Sequence, residues 1–263
     1  MSQFFTVEIS DPHFESDNLR LITVKSQDLK KRADISVFVP EVPISEIKGM
    51  VILLHGVYGS HWAWTLKGGV HKTAQQLINE GKIPPLLLVM PSDGLFGDGS
   101  GYVSHQIEDY EKWIVEDVIN VVKEQISGRD LPLFITGLSM GGYGALRLGA
   151  KYSDRFRAFS GHSSITDFDQ LSQFVEDFEV LVAPVQTQES VLESILLHKA
   201  TLSPFRFDCG SDDILIEPNR QLHQALVQHG IPHHYEEFSG GHEWPYWEKH
   251  IVDSLMFFCR FCR

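Results

Sequence analysis

Apolar residues along the chain fall into short, nearly continuous runs separated by longer stretches of helical period. Three segments near the start, Phe4–Ile9, 19–25 and 35–39, are rich in β-branched and aromatic residues and are divided by polar turns carrying Asp and Asn. They read as strands of an antiparallel ribbon over residues 1–40. From residue 50 the pattern changes. Met50-Val51-Ile52-Leu53-Leu54 is a continuous apolar run, as expected of a parallel strand covered on both faces. Residues 86–90 and 133–135 read as further buried strands, and 156–161 and 205–209 as strands. A last strand is expected at 233–238. Between these runs, helices are expected at 70–79, with Gly81 as a stop, at 107–126, with Ile114, Val118, Val121 and Val122 on one side, at 143–148, at 218–228 and at 244–261. Residues 166–200 differ in character, with a polar helix around 168–178, a break at Pro184 and a second helix around 189–198. Strands alternating with helices predict an α/β fold, a mostly parallel central sheet with helices on both faces. One domain is expected over 1–263, with 163–200 as a small cap region.

One strand-to-helix junction carries chemistry. Leu133-Phe134-Ile135-Thr136 leads into Gly137-Leu138-Ser139-Met140-Gly141, and a helical run follows. Gly-x-Ser-x-Gly between a strand and a helix is a tight turn that pushes its central hydroxyl outward, the nucleophile elbow of α/β-hydrolases. It makes Ser139 the candidate nucleophile. The Met140 N–H, at a helix N-terminus, faces a developing oxyanion. The second donor should come from the loop after Leu54. Gly56 permits close backbone approach there, so Val57 is the candidate and Tyr58 the alternative. His55 reads as a brace for that loop.

A serine nucleophile needs a base and the base an orienting acid, in the chain order Ser, Asp, His. His242 follows the last strand and two glycines, and the pair Asp212/Asp213 follows the strand at 205–209. Both lie on loops at the carboxyl edge of the sheet, where sites form; spacing alone leaves the choice between the two Asp residues open. His229 and His233 have zinc-like spacing without a thiolate or carboxylate signature around them. No metal and no cofactor is required by this chemistry.

Composition narrows the partners. The formal net charge of −13 opposes binding to nucleic acid or an anionic membrane. No run approaches transmembrane length, and 1–10 is too short and polar to read as a signal peptide. With three cysteines, Cys209, Cys259 and Cys262, a reduced, cytoplasmic setting is expected. Cys259 and Cys262 read as packing on one helix face rather than as a redox pair. A homo-oligomer is compatible with the sequence, which leaves the oligomeric state open.

The motifs together resemble the "putative esterase" (esterase D-like) family, and within it the small tributyrin and acetyl esterases. The elbow Gly137-Leu138-Ser139-Met140-Gly141-Gly142-Tyr143-Gly144 is similar to the family's, with Phe159-Ser160-Gly161 on the next strand. Leu53-Leu54-His55-Gly56, followed by His61 and Trp64, looks like its oxyanion loop. Cys209-Gly210-Ser211-Asp212-Asp213-Ile214-Leu215 is similar to its Cys-Gly-x-x-Asp-Phe-Leu block, and the alignment of Leu215 puts the acid at Asp213. Ser239-Gly240-Gly241-His242-Glu243-Trp244, then Tyr246-Trp247, looks like its His-Glu-Trp block. The resemblance implies an α/β-hydrolase fold with a minimal cap and a triad of Ser139, Asp213 and His242. It also implies hydrolysis of small-molecule, short-chain esters, with Tyr58, His61, Trp64 and Trp244 as substrate-binding residues. Thioesterases acting on S-formylglutathione and acyltransferases share the scaffold. The former usually carry His where Leu138 stands and a Cys-containing sequence where Tyr58-Gly59 stands.

Overall fold

The computed structural model of the chain describes residues 4–176, 178–179 and 189–262. Its strands are β1 (Phe4–Ile9), β2 (Leu19–Ser26), β3 (Arg32–Phe38), β4 (Gly49–Leu54), β5 (Leu86–Pro91), β6 (Leu133–Gly137), β7 (Phe156–His162), β8 (Phe205–Gly210) and β9 (His234–Phe238). They form one sheet in the order β1-β2-β3-β5-β4-β6-β7-β8-β9. The first three strands and the β3–β5 pair are antiparallel, and every pairing from β5 through β9 is parallel. Thus the chain runs from β4 to β5 on one side, then crosses to β6 on the other. The carboxyl ends of β4 and β6 flank this switch point, where open α/β sheets leave a crevice.

Helices cover both faces. They are α1 (Val70–Asn79), α2 (residues 110–127), α3 (Met140–Lys151), α4 (Val191–Leu197), α5 (Ile216–Gln228) and α6 (Trp244–Phe258). β4 shows why its run is continuous. Met50, Ile52 and Leu54 face a core formed with α2 and α3, whereas Val51 and Leu53 face a second core formed with α1 and α6. Alternate side chains point to opposite faces, and each such residue contributes about 1.5–3 kcal/mol when fully buried.

Several boundaries differ from expectation. α2 starts at Tyr110 rather than 107 because the Asp109 carboxylate accepts the Lys112 N–H at 3.0 Å and caps it. Within it, π-helical turns at Trp113–Val118 and Lys123–Ser127 alternate with α-helical ones, and it stops at Gly128, φ 66°. The polar helix expected at 168–178 is a shorter 3₁₀ helix, Phe168–Gln173, started by the Asp167 side chain. α4 is fixed by a reciprocal Ser190–Glu193 capping box. The expected break at Pro184 lies outside the described residues. α6 ends at Phe258 and a 3₁₀ turn, Cys259–Phe261, completes the segment expected to be one helix. Among the described residues no helix is long and apolar enough to cross a membrane.

Candidate active site

Ser139 sits between the end of β6 and the start of α3 at φ 55°, ψ −119°, a region that non-glycine residues rarely occupy. The surrounding backbone holds it there. Its N–H donates to the His162 carbonyl at 2.9 Å, and its carbonyl accepts the N–H groups of Tyr143 at 3.1 Å and Ile165 at 3.3 Å. The flanking glycines are required by space. A Cβ on Gly141 would stand 2.3 Å from the Leu54 carbonyl oxygen, and one on Gly137 would stand 2.2 Å from that of Gly141.

His242 reaches Ser139 from the loop between β9 and α6. Its Nε2 lies 3.0 Å from Ser139 Oγ, and its Nδ1 lies 3.0 Å from both carboxylate oxygens of Asp213. A neutral imidazole that donates Nδ1–H to Asp213 leaves Nε2 free to accept the serine proton. Asp213 is buried, and its Oδ1 also accepts the Leu215 N–H at 2.8 Å. Asp212 is exposed and meets the loop through its backbone, donating its N–H to the Gly240 carbonyl at 3.0 Å. Of the two candidate acids, Asp213 is therefore the one against the imidazole. Phe174 stacks on His242 with centroids 5.6 Å apart, and Trp247 stands edge-on to it at 5.0 Å.

The loop after β4 passes beside Ser139. A Cβ on Gly56 would stand 2.9 Å from Leu138 Cδ1 and 3.3 Å from Ser139 Cβ. The Tyr58 N–H is taken by the Asp98 carbonyl at 2.8 Å. The N–H groups of Val57 and Met140 engage no acceptor among the described residues. His55 braces the loop from behind: Nδ1–H donates to the Gly56 carbonyl at 2.7 Å, Nε2 accepts the Asp93 N–H at 3.2 Å, and the Tyr102 hydroxyl donates to the His55 carbonyl at 3.0 Å.

A cleft of about 450 Å³ opens over these groups. Tyr58 and Trp244 line it, together with Trp62, Lys67, Phe174 and Trp247. Two of the expected substrate-binding residues do not line it. His61 turns away, its Nδ1 hydrogen-bonded to Ser36 Oγ at 2.8 Å. Trp64 is buried one layer down, donating Nε1–H to the Leu54 carbonyl at 3.0 Å and supporting Trp244 edge-on at 5.8 Å. Trp247 was legible as the i, i+3 neighbour of Trp244 on one helix face. Lys67 and Phe174 carry no such signal. Tyr58 and Phe174 also meet directly, the tyrosine hydroxyl donating to the Phe174 carbonyl.

A second Ser–His–Asp set lies fully buried beneath the first. His162 Nδ1 is 3.1 Å from Asp208 Oδ1, and its Nε2 is 2.9 Å from Ser254 Oγ. Arg206 Nη1 donates to Asp208 Oδ2 at 2.8 Å, and the Tyr246 hydroxyl donates to Oδ1 at 2.9 Å. Burial works against ionisation of Asp208, but the His162 and Arg206 charges and hydrogen bonds outweigh it and hold its pKa below the usual range. Among the described residues, no three His, Cys, Asp or Glu side chains are grouped to hold a metal. His223 and His233 bond each other, Nδ1 to Nε2 at 2.8 Å.

Comparisons with known proteins bear on the family and the fold. The model of the family described as "Putative esterase" matches residues 26–258. The acetyl esterase of Caldicellulosiruptor saccharolyticus is 26% identical over 260 residues, covering 90% of each chain. Among solved structures, a ferulic acid esterase superposes with a TM-score of 0.81 at 25% identity, over 98% of this chain and 100% of that one. S-formylglutathione hydrolase FrmB from Staphylococcus aureus superposes with a TM-score of 0.75 at 17% identity, over 95% and 98% of the two chains, and shares the fold. The chain belongs to the "Putative esterase" family of α/β-hydrolase fold and is a carboxylic ester hydrolase.

Proposed function

We propose that the chain is a serine carboxylesterase acting on short-chain acyl esters. The observation that carries this reading is the continuous hydrogen-bonded path from Asp213 through His242 to Ser139, with 3.0 Å at each contact of the imidazole. His242 Nε2 removes the Ser139 proton as Oγ attacks the ester carbonyl. The oxyanion is met by the free N–H groups of Val57 and Met140, each such donor contributing about 3–4 kcal/mol to the transition state. His242 then protonates the departing alcohol. Water, activated by the same imidazole, cleaves the acyl-enzyme and restores the serine. Asp213 fixes the tautomer and stabilises the imidazolium.

The walls of the cleft support a short acyl group. Trp62, Trp244 and Trp247 are bulky, and Phe174 closes over His242. A few buried methylenes gain about 0.8 kcal/mol each, after which the chain meets indole or water. The test is kcat/KM across p-nitrophenyl esters from acetate to palmitate, alongside fluorophosphonate labelling. A maximum between acetyl and butyryl, a steep fall by octanoyl and a label on Ser139 are expected. A maximum at ten or more carbons, or a label elsewhere, overturns the reading.

A further inference from the structure

Lys67 is the one lysine on the cleft wall among the described residues. It ends the π-helical turn Ala63–Lys67, and Gly68 and Gly69 follow it. Such turns put an extra residue into the helical repeat and often occur at functional sites. Here the turn lays the chain flat against an indole: a Cβ on Gly68 would stand 2.7 Å from Trp244 Cζ3. The Lys67 ammonium lies 5.6 Å from the centre of the same Trp244 ring. Trp244 packs edge-on against Trp247 at 5.5 Å, and Trp247 against His242 at 5.0 Å. An aromatic run therefore connects the ammonium to the imidazole.

The chain carries 35 acidic residues against 22 basic ones, yet among the described residues only Lys31, Lys82, Lys112, Lys123 and Lys151 stand within ion-pair distance of a carboxylate. What sets Lys67 apart is its place on the cleft wall against Trp244. Among the described residues no carboxylate stands within ion-pair distance of Lys67, including Glu243, which borders the same cleft. The ammonium is held instead by the indole face, 5.6 Å from its centre. That contact limits its positions on the cleft wall, and no hydrogen bond from its ammonium to a described residue competes for a ligand.

We propose that Lys67 is a specificity-determining residue that binds a carboxylate carried by the ester substrate. The proposal rests on the serine esterase reading and adds an anionic substrate class to it. A charge-assisted hydrogen bond at an exposed site gives about a two- to fivefold preference, and salt weakens it.

Two matched substrate pairs test it. One is 3-acetoxybenzoate with its methyl ester, the charge lying in the leaving alcohol. The other is monophenyl adipate with its methyl ester, the charge lying in the acyl group. The quantity read is the ratio of kcat/KM within each pair, in which any general loss cancels. For one pair the native protein should favour the carboxylate at low salt. Lys67→Met, or 0.5 M sodium chloride (roughly a 4 Å screening length), should remove the preference, and Lys67→Arg should keep it. The pair that responds identifies the half of the ester bearing the anion. Ratios equal in the native protein and Lys67→Met for both pairs would overturn the proposal. Fluorophosphonate labelling of Ser139 and turnover of the neutral esters report separately on the serine mechanism.

Discussion

Ser139–His242–Asp213 and Ser254–His162–Asp208 contain the same residue types at nearly the same separations, 3.0 Å in the first and 2.9–3.1 Å in the second. Their surroundings differ in every respect that matters to chemistry. Ser139 stands on a strained turn at the floor of a cleft with two unoccupied N–H groups beside it, whereas Ser254, His162 and Asp208 have no exposed surface. Asp213 serves the imidazole and one backbone N–H, but Asp208 divides its oxygens among His162, Arg206 and Tyr246. Ser254 Oγ is likewise shared, 3.1 Å from Arg206 Nη1 and 2.8 Å from Ser160 Oγ. On the function proposed above, the first set is reactive because substrate reaches it and because charge developing on an oxygen has somewhere to go. The second is a satisfied polar core that joins α6 to β7 and β8. It still touches the first through the chain, because the His162 carbonyl holds the Ser139 N–H.

The contrast is open to direct attack. Ser139→Ala should fold yet lose at least about 10⁴-fold in kcat on p-nitrophenyl acetate; turnover near the native level would end the distinction between the two sets. Asp213→Asn should lower kcat by about 10⁴-fold through the wrong tautomer of His242. Asp212→Asn, measured in the same assay, should cost under about tenfold, since that residue meets the loop through its backbone. Asp208→Asn should act on stability instead. It removes one of the two carboxylates that pair with Arg206, Glu236 remaining at 2.8 Å, and sets an amide against His162 Nδ1 and the Tyr246 hydroxyl, a loss of about 3 kcal/mol readable by urea denaturation. A full loss of activity with unchanged stability would place Asp208 with the reactive set. Ser254→Ala is the mildest, at about 1–2 kcal/mol of stability with the label still on Ser139.

Acid should affect the buried charges in a defined window. Burial opposes ionisation of Glu111, but the Arg147 charge and hydrogen bonds from Lys151, Tyr152 and Arg147 carry its pKa down to about 2. A carboxylate whose folded pKa is depressed contributes stability that is complete above its unfolded pKa and is lost as pH falls toward the folded one. Glu111 alone corresponds to about 3 kcal/mol. The melting temperature should hold above pH 4.5, the ordinary glutamate value, and fall between there and about 2. Glu111→Gln should be less stable at neutral pH and should flatten that fall.

Much of this architecture is legible in the chain. The central parallel strands β4 and β5 are nearly continuous apolar runs because both faces are covered, and the elbow announces itself through glycines that steric space demands. Asp213 against Asp212 is not decided by spacing, because adjacent residues after a strand differ only in which way each side chain turns. Alignment to a family block and the hydrogen bond to His242 both point to Asp213. The cleft walls were the least legible part. Trp64 and His61 sit on the expected loop, yet the π turn at Ala63–Lys67 and the Ser36 hydroxyl direct them away, and no helical or strand period encodes such a turn. Phe174 reaches His242 from a 3₁₀ segment 68 positions earlier, and the packing that brings it there has no local signature.

The separation of Ser139 and His242 by 103 positions has a consequence for folding. The imidazole arrives on the loop after β9, which pairs with β8 in the sheet's last interface. On the function proposed above, the serine hydroxyl has no base until that pairing forms, and a partly assembled chain would be as inert toward electrophiles as an ordinary alcohol. Stoichiometric phosphonylation therefore counts natively assembled molecules rather than polypeptide. During refolding, the growth of that count times the docking of the last strand without any optical probe.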